Sequence, residues 1–137
     1  GLNAEDITNK VDLDINNREE CGVNQEIVIK AKDKSIDLSK VAVRYYFQKS
    51  DNTKLATYCY NTGVRLPNNP WYKDFTKDTS AKISSDSKGM YIEYRVKGDV
   101  QLNSDGSCAK IVGQFANNDW SKMEDYKGLE AVVVAYK

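Results

Sequence analysis

The residue types that carry most protein chemistry are either missing from this chain or scattered along it. There is no histidine among its 137 residues. That removes the commonest general base, the commonest metal ligand and every Ser-His or Cys-His nucleophile. Cys21, Cys59 and Cys108 lie far apart with no C-x-x-C spacing, so neither a zinc site nor a redox pair is indicated. They read as small semi-buried residues. Carboxylates are plentiful, as at Glu19-Glu20, Glu124-Asp125 and Glu130. A glycosidase needs two of them held at a separation set by its mechanism, and nothing in the spacing nominates a pair. What remains is aromatic. Trp120 lies in the polar turn Asn118-Asp119-Trp120-Ser121, and Trp71-Tyr72 follow Pro67-Asn68-Asn69-Pro70. Large rings among turn residues are either a platform for a ligand or a lid closing the end of a core.

The elements that must position these rings are strands. Period-2 alternation recurs while helical periodicity is hard to find. Val41, Val43, Tyr45 and Phe47 share one face, with Ala42, Arg44 and Tyr46 on the other. Met90, Ile92, Tyr94 and Val96 alternate with Tyr91, Glu93 and Arg95, and Ala109, Ile111, Gly113 and Phe115 with Lys110, Val112 and Gln114. Val11–Asp14, Ile27–Ala31 and Leu55–Tyr60 add shorter runs, and Glu130–Tyr136 is apolar almost throughout, as in a strand covered on both faces. Turn chemistry separates them at Asn16-Asn17, Asp51-Asn52, Ser87-Lys88-Gly89, Ser104-Asp105-Gly106 and Lys127-Gly128. Eight or nine short strands with such breaks predict an all-β antiparallel sandwich whose core includes Val43, Tyr45, Phe47, Ile92, Ile111, Phe115 and Val133. Asn61 to Ser80 shows no clear strand pattern and reads as a long loop of the functional kind.

Composition bounds the partners. Lysine plus arginine and aspartate plus glutamate each total 20, so no electrostatic footprint for nucleic acid or an anionic membrane exists. No apolar run approaches the roughly 20 residues that span a bilayer, so no membrane insertion is expected. The length fits one domain over residues 1–137. The start Gly1-Leu2-Asn3-Ala4 has no basic region or apolar stretch and reads as an internal boundary of a longer protein.

Four blocks in order resemble the family-3 carbohydrate-binding modules. Ile36-Asp37-Leu38-Ser39-Lys40-Val41 followed by Arg44-Tyr45-Tyr46-Phe47 is similar to the family's signature strand. Tyr91-Ile92-Glu93 matches its Tyr-Leu-Glu strand, Ile111–Ser121 its isoleucine strand and Asn-Asp-Trp-Ser turn, and Asp125-Tyr126 its Asn-Asp-Tyr segment. The resemblance implies a nine-stranded jelly roll without catalytic activity. It also implies an extracellular, secreted or cell-surface bacterial protein whose module targets neighbouring domains (an enzyme, a cellulosomal scaffold or a sensor) to cellulose or a related β-glucan. Cellulose binders of the family carry a flat strip of aromatic and polar side chains, suited to the C–H faces of glucose rings.

On this chain the resemblance places Trp120 on the strip. Gln114 stands where an arginine is usual, and Tyr60-Asn61 where the family has an Asp-His pair; glutamine keeps hydrogen bonding but loses the guanidinium plane. Trp71 or Tyr72 corresponds to a loop tyrosine. Trp120 is expected exposed and roughly coplanar with one of them, with Gln114 between or beside. Because of these departures, a protein-interaction or sensor role with an eroded strip is the alternative to polysaccharide binding. Family members often hold a structural calcium between the loop after the Arg-Tyr-Tyr strand and the segment before Asp-Tyr. Asp125 matches one ligand and Asp51 or Ser50 approximates another, yet Trp120–Asp125 is shorter than the family pattern. Calcium takes about six to eight oxygens, so the reading here is of a calcium site that has been lost.

Overall fold

Alternation along the strands decides which side chains meet in the middle. In the computed structural model, which describes residues 3–137, twelve strands and three single-turn 3-10 helices follow one another. The first strands are β1 (Ala4–Asp6), β2 (Val11–Glu20), β3 (Gly22–Ala31), β4 (Ile36–Asp37), β5 (Val41–Gln48) and β6 (Leu55–Arg65). They are followed by β7 (Tyr72–Asp74), β8 (Thr79–Asp86), β9 (Gly89–Val96), β10 (Gln101–Leu102), β11 (Cys108–Asn117) and β12 (Lys127–Tyr136). Pairing is antiparallel in two five-stranded sheets, β1-β12-β5-β9-β8 and β2-β3-β11-β6-β7, with β10-β4 as a small extra ribbon. The count is twelve where nine were expected. Four of the twelve (β1, β4, β7 and β10) are two- or three-residue pieces, too short for a period to show, and eight longer strands remain.

The core lies between the two sheets. Val43, Tyr45, Phe47, Ile92, Ile111, Phe115 and Val133 all belong to it, as their alternation requires. Phe47 and Phe115 stack across it with centroids 4.5 Å apart. Burying one such side chain contributes about 1.5–3 kcal/mol. A polar thread also crosses this core. The Tyr94 hydroxyl donates to Gln25 Oε1 at 2.9 Å, Gln25 Nε2 to Asn17 Oδ1 at 3.1 Å, and Asn17 Nδ2 to the Tyr45 hydroxyl at 3.1 Å. Tyr45 and Tyr126 then share a hydroxyl contact of 3.1 Å. Gly113 makes room for it, since a Cβ there would stand 2.4 Å from a Tyr94 ring carbon.

Two boundaries differ from expectation. Asn16-Asn17 is strand, not turn, because β2 runs on to Glu20 and the thread satisfies the Asn17 amide. The reversal comes at Cys21-Gly22, where Gly22 has φ +78° and its backbone packs against Phe115 O. The expected long loop from Asn61 to Ser80 instead contains the end of β6, β7 and a 3-10 turn at Thr76–Asp78. Its ladder is short, with β7 pairing only Gly63–Arg65. Among the described residues no helix is long and apolar enough to cross a membrane.

Candidate functional site

One irregularity in β6 decides what stands on the outer face of the second sheet. Gly113 pairs with Cys59 while the preceding Val112 pairs with Asn61, so Tyr60 is an extra, unpaired residue. A bulge of this kind twists the strand and re-aims its side chains. Regular alternation would put Asn61 on the core side with Cys59. After the bulge Asn61 shares the outer face with Val112, and Tyr58 shares it with Gln114. Two consecutive residues, Tyr60 and Asn61, thus reach the same surface, where both border a shallow depression.

Trp120 arrives at this face from the β11–β12 loop. Its N–H donates to Asn117 O at 2.9 Å, and it holds φ +63°, a conformation few non-glycine residues adopt. The turn is fixed on its far side by Asp119, whose carboxylate accepts the Ser121 N–H at 3.0 Å and hydroxyl at 2.6 Å. These contacts hold the Asp119 carboxyl below its ordinary value. The Trp120 ring lies parallel to Tyr58 within 10°, centroids 5.9 Å apart, and Tyr58 lies parallel to Tyr60 within 3° at the same spacing. Parallel rings that close are offset-stacked rather than side by side in one plane. The row is therefore Trp120–Tyr58–Tyr60, its two ends about half exposed (52% and 53%) and its middle ring half-buried.

Tyr58 was not singled out from the sequence. The available signal was its period-2 relation to Tyr60 on a strand, which puts both on one face before the bulge.

Gln114 is buried at 6% exposure: its amide donates to Cys21 O and its Oε1 accepts the Tyr60 hydroxyl at 2.5 Å. It does not stand open to solvent between rings, because that pairing makes it a support for Tyr60. Asn61 accepts from the Tyr72 hydroxyl at 3.4 Å. The Tyr72 ring lies against Gly63, where a Cβ would meet it at about 2 Å, so only glycine lets the ring settle there. Tyr72 is thereby joined to the row through Asn61. Trp71 is the most exposed ring at 66%, tied only through its carbonyl, which accepts the Leu66 N–H at 2.9 Å, and it stacks on no other ring among the described residues.

Ser50, Asp51 and Asp125 meet where the β5–β6 and β11–β12 loops touch. Ser50 Oγ donates to Asp125 Oδ2 at 2.7 Å, and Asp51 Oδ2 accepts the Glu124 N–H at 2.8 Å. Lys49 Nζ lies among the same groups, 2.8 Å from Asp51 Oδ1 and 2.7 Å from Asn117 Oδ1, and also donates to Thr53 O. The Lys49 ammonium, with the Glu124 N–H, holds the Asp51 carboxyl well below the usual carboxylate range. Asp125 takes φ +52° at this junction. The three cysteines form no disulfide, with Cys21 exposed and the others half-buried.

Comparison with known proteins gives this geometry a context. Residues 9–127 match the family model of the cellulose binding domain, CBM_3. Cellulosomal-scaffolding protein B of Acetivibrio thermocellus is 32% identical over 92 residues, which cover 64% of this chain but 12% of that protein. Among solved structures, the CBM3a-L domain with flanking linkers from the scaffoldin of the Clostridium thermocellum cellulosome superposes with a TM-score of 0.72 at 21% identity, covering 94% of this chain and 86% of that one. A family IIIa cellulose-binding domain from Clostridium cellulolyticum gives 0.73 at 18% identity, covering 93% and 92%. The chain thus spans about an eighth of the scaffolding relative it matches, and its sandwich is the fold of these domains.

Proposed function

The chain belongs to the CBM_3 family of cellulose binding domains, a family of non-catalytic modules, and from that premise we propose that it binds plant cell-wall polysaccharide, cellulose or a related β-glucan, through the outer face of its second sheet. The observation that carries this reading is the row Trp120–Tyr58–Tyr60 with Tyr72 beyond it. Exposed large rings gathered on one face form an apolar patch that a partner would cover, and the C–H face of a sugar is a fitting one. The offset stacking shapes how a glycan sits. The middle ring has both faces partly covered, so sugar rings dock on the outer faces of Trp120 and Tyr60. The hydroxyls of Tyr58 and Tyr72 and the Asn61 amide then meet sugar hydroxyls along the flank. Each stacking ring contributes about 1–3 kcal/mol, by analogy with bases stacked on aromatics.

In the whole protein the module would hold its neighbouring domains, an enzyme or a scaffold, on an extracellular substrate. A scaffolding relative that extends far beyond the matched segment supports this setting. A depletion assay on insoluble cellulose tests the function. Retention with little response to salt is expected, since Lys plus Arg equals Asp plus Glu and the row carries no charge. Recovery of all the protein in the supernatant, on cellulose and on soluble β-glucans alike, would refute it.

A further inference from the structure

The junction between the β5–β6 and β11–β12 loops is built around a charge that belongs to the chain itself. Lysine is normally a surface residue, yet the Lys49 side chain is only 4% exposed and that of its partner Asp51 12%. An ammonium has three donors, and all three of Lys49's are spent: on Asp51 Oδ1, on Asn117 Oδ1 and on Thr53 O. The acceptors come from the β5–β6 loop and from the last residue of β11. Asp51 is itself held by the Thr53 N–H at 3.0 Å, the Asn117 amide at 3.2 Å and the Glu124 N–H at 2.8 Å. Oxygen donors, a backbone carbonyl among them, converge on one cationic centre as they do in a hard-cation site, but three in number where calcium takes about six to eight. Here a nitrogen stands at the centre.

We propose that the Lys49 ammonium is the resident cation of this junction, taking the place of the calcium ion that the family resemblance implies, so that the junction closes without a divalent ion. A calcium ion does not fit beside it. The converging oxygens are already engaged at hydrogen-bonding distance, only one carboxylate faces the centre, and among the described residues no group of three acidic, cysteine or histidine side chains could hold a metal. A second cation next to a desolvated ammonium would also be repelled with no added carboxylate to offset it. The substitution changes the properties of the junction. A bound ion dissociates and makes stability depend on its concentration, whereas a tethered ammonium cannot leave. Through Asn117, whose carbonyl accepts the Trp120 N–H, the same cation holds the turn that presents the tryptophan.

The test is read without cellulose, so it stands or falls apart from the binding function. Thermal unfolding of the full chain is followed with excess EGTA and with millimolar calcium chloride, and calcium chloride is titrated into the EGTA-treated protein in a calorimeter. The same midpoint in both buffers and no heat of binding are expected. In parallel, Lys49→Met keeps the aliphatic stem and removes the charge, stranding Asp51. Its midpoint is expected to fall by about 10 °C, with no recovery in calcium. A calcium-dependent rise in the unsubstituted protein's midpoint, or a saturable heat, would overturn the proposal. So would a Lys49→Met protein that melts like its parent. Should that variant not fold, the titration of the unsubstituted chain decides by itself.

Discussion

Both sheets of this sandwich carry tyrosines on their outer faces, and the two sets do opposite things. On the first sheet Tyr46, Tyr91 and Tyr136 are buried at 2%, 7% and 7% exposure, because each has found partners within the protein. Arg44 Nε donates to Glu93 Oε2 at 2.9 Å and its Nη2 to the Tyr136 hydroxyl at 3.0 Å; the same guanidinium lies 4.9 Å from the Tyr91 ring centre. Arg95 covers Tyr136 at 4.2 Å, and the Tyr46 hydroxyl donates to Asp86 at 2.5 Å. On the second sheet Tyr58, Tyr60 and Trp120 touch mainly one another and keep open ends. A count of aromatic residues would not separate these faces. What separates them is cover. The tyrosines of the first face are buried against their neighbours, with Arg95 Nε, among the described residues, the one buried side-chain polar atom there that has no partner. The second face keeps rings open to solvent.

The difference can be broken from either side. The largest effect on folding is expected on the first face. Arg44→Ala leaves the Glu93 carboxylate with the Tyr136 hydroxyl but no cation, and uncovers the Tyr91 ring, and should lower unfolding stability by about 2–4 kcal/mol. A denaturant titration measures this, and cellulose retention per folded molecule should be unchanged. A stable Arg44→Ala protein that no longer binds would reverse the roles of the faces.

Alkaline pH should discriminate next. Burial and then the Asp86 carboxylate push the Tyr46 hydroxyl up to about 12 from 10.0. A folded value above the unfolded one means that this stabilisation is whole below pH 10 and is lost as pH rises through about 12. Burial raises the core hydroxyls Tyr94 and Tyr126 further still. The denaturant midpoint should therefore fall steeply above pH 10, and Tyr46→Phe should make that fall shallower. An equally steep fall in the variant would show that Tyr46 is not part of it.

The smallest effect is expected at Tyr60→Phe. It removes one hydroxyl from a buried amide and leaves the ring, so stability should drop by about 0.5–1.5 kcal/mol. If Gln114 holds the ring in place, cellulose affinity should weaken a few-fold as well. Affinity unchanged, with the stability loss present, would confine Gln114 to a folding role.

How much of this was legible in the sequence follows from what a period can encode. Val43, Tyr45 and Phe47 announce their face because period 2 is a one-dimensional signal, and so do Ile111 and Phe115. The bulge at Tyr60 is not such a signal, since one inserted residue leaves composition and turn chemistry untouched while turning Asn61 outward. That is why the facing of Asn61 could not be read, whereas Tyr58 was readable from its i, i+2 spacing to Tyr60. Gln114, the cross-strand partner of Tyr58, was expected between or beside exposed rings, and only the tertiary structure shows it buried under Tyr60. Lys49 was opaque for a different reason. A lysine between a strand and a polar loop reads as a solvated charge, and only the meeting of loops about 70 residues apart in sequence shows that its ammonium is enclosed. The aromatic turn at Trp120, by contrast, was legible from local chemistry, because a tryptophan among Asn, Asp and Ser has little apolar sequence around it to be buried with.

The central claim is that ligand is bound by the face whose rings remain open. It is tested most directly by depletion isotherms on insoluble cellulose for two variants beside the parent: the Trp120→Ala, Tyr60→Ala double variant, and Tyr136→Phe on the opposite face. Circular dichroism first confirms that each is folded. The double variant loses both exposed ends of the row and should bind at least about 30-fold more weakly, at roughly 1–3 kcal/mol per ring, while Tyr136→Phe binds as the parent does. A folded double variant with parental affinity, or a Tyr136→Phe protein that has lost its own, would contradict the account.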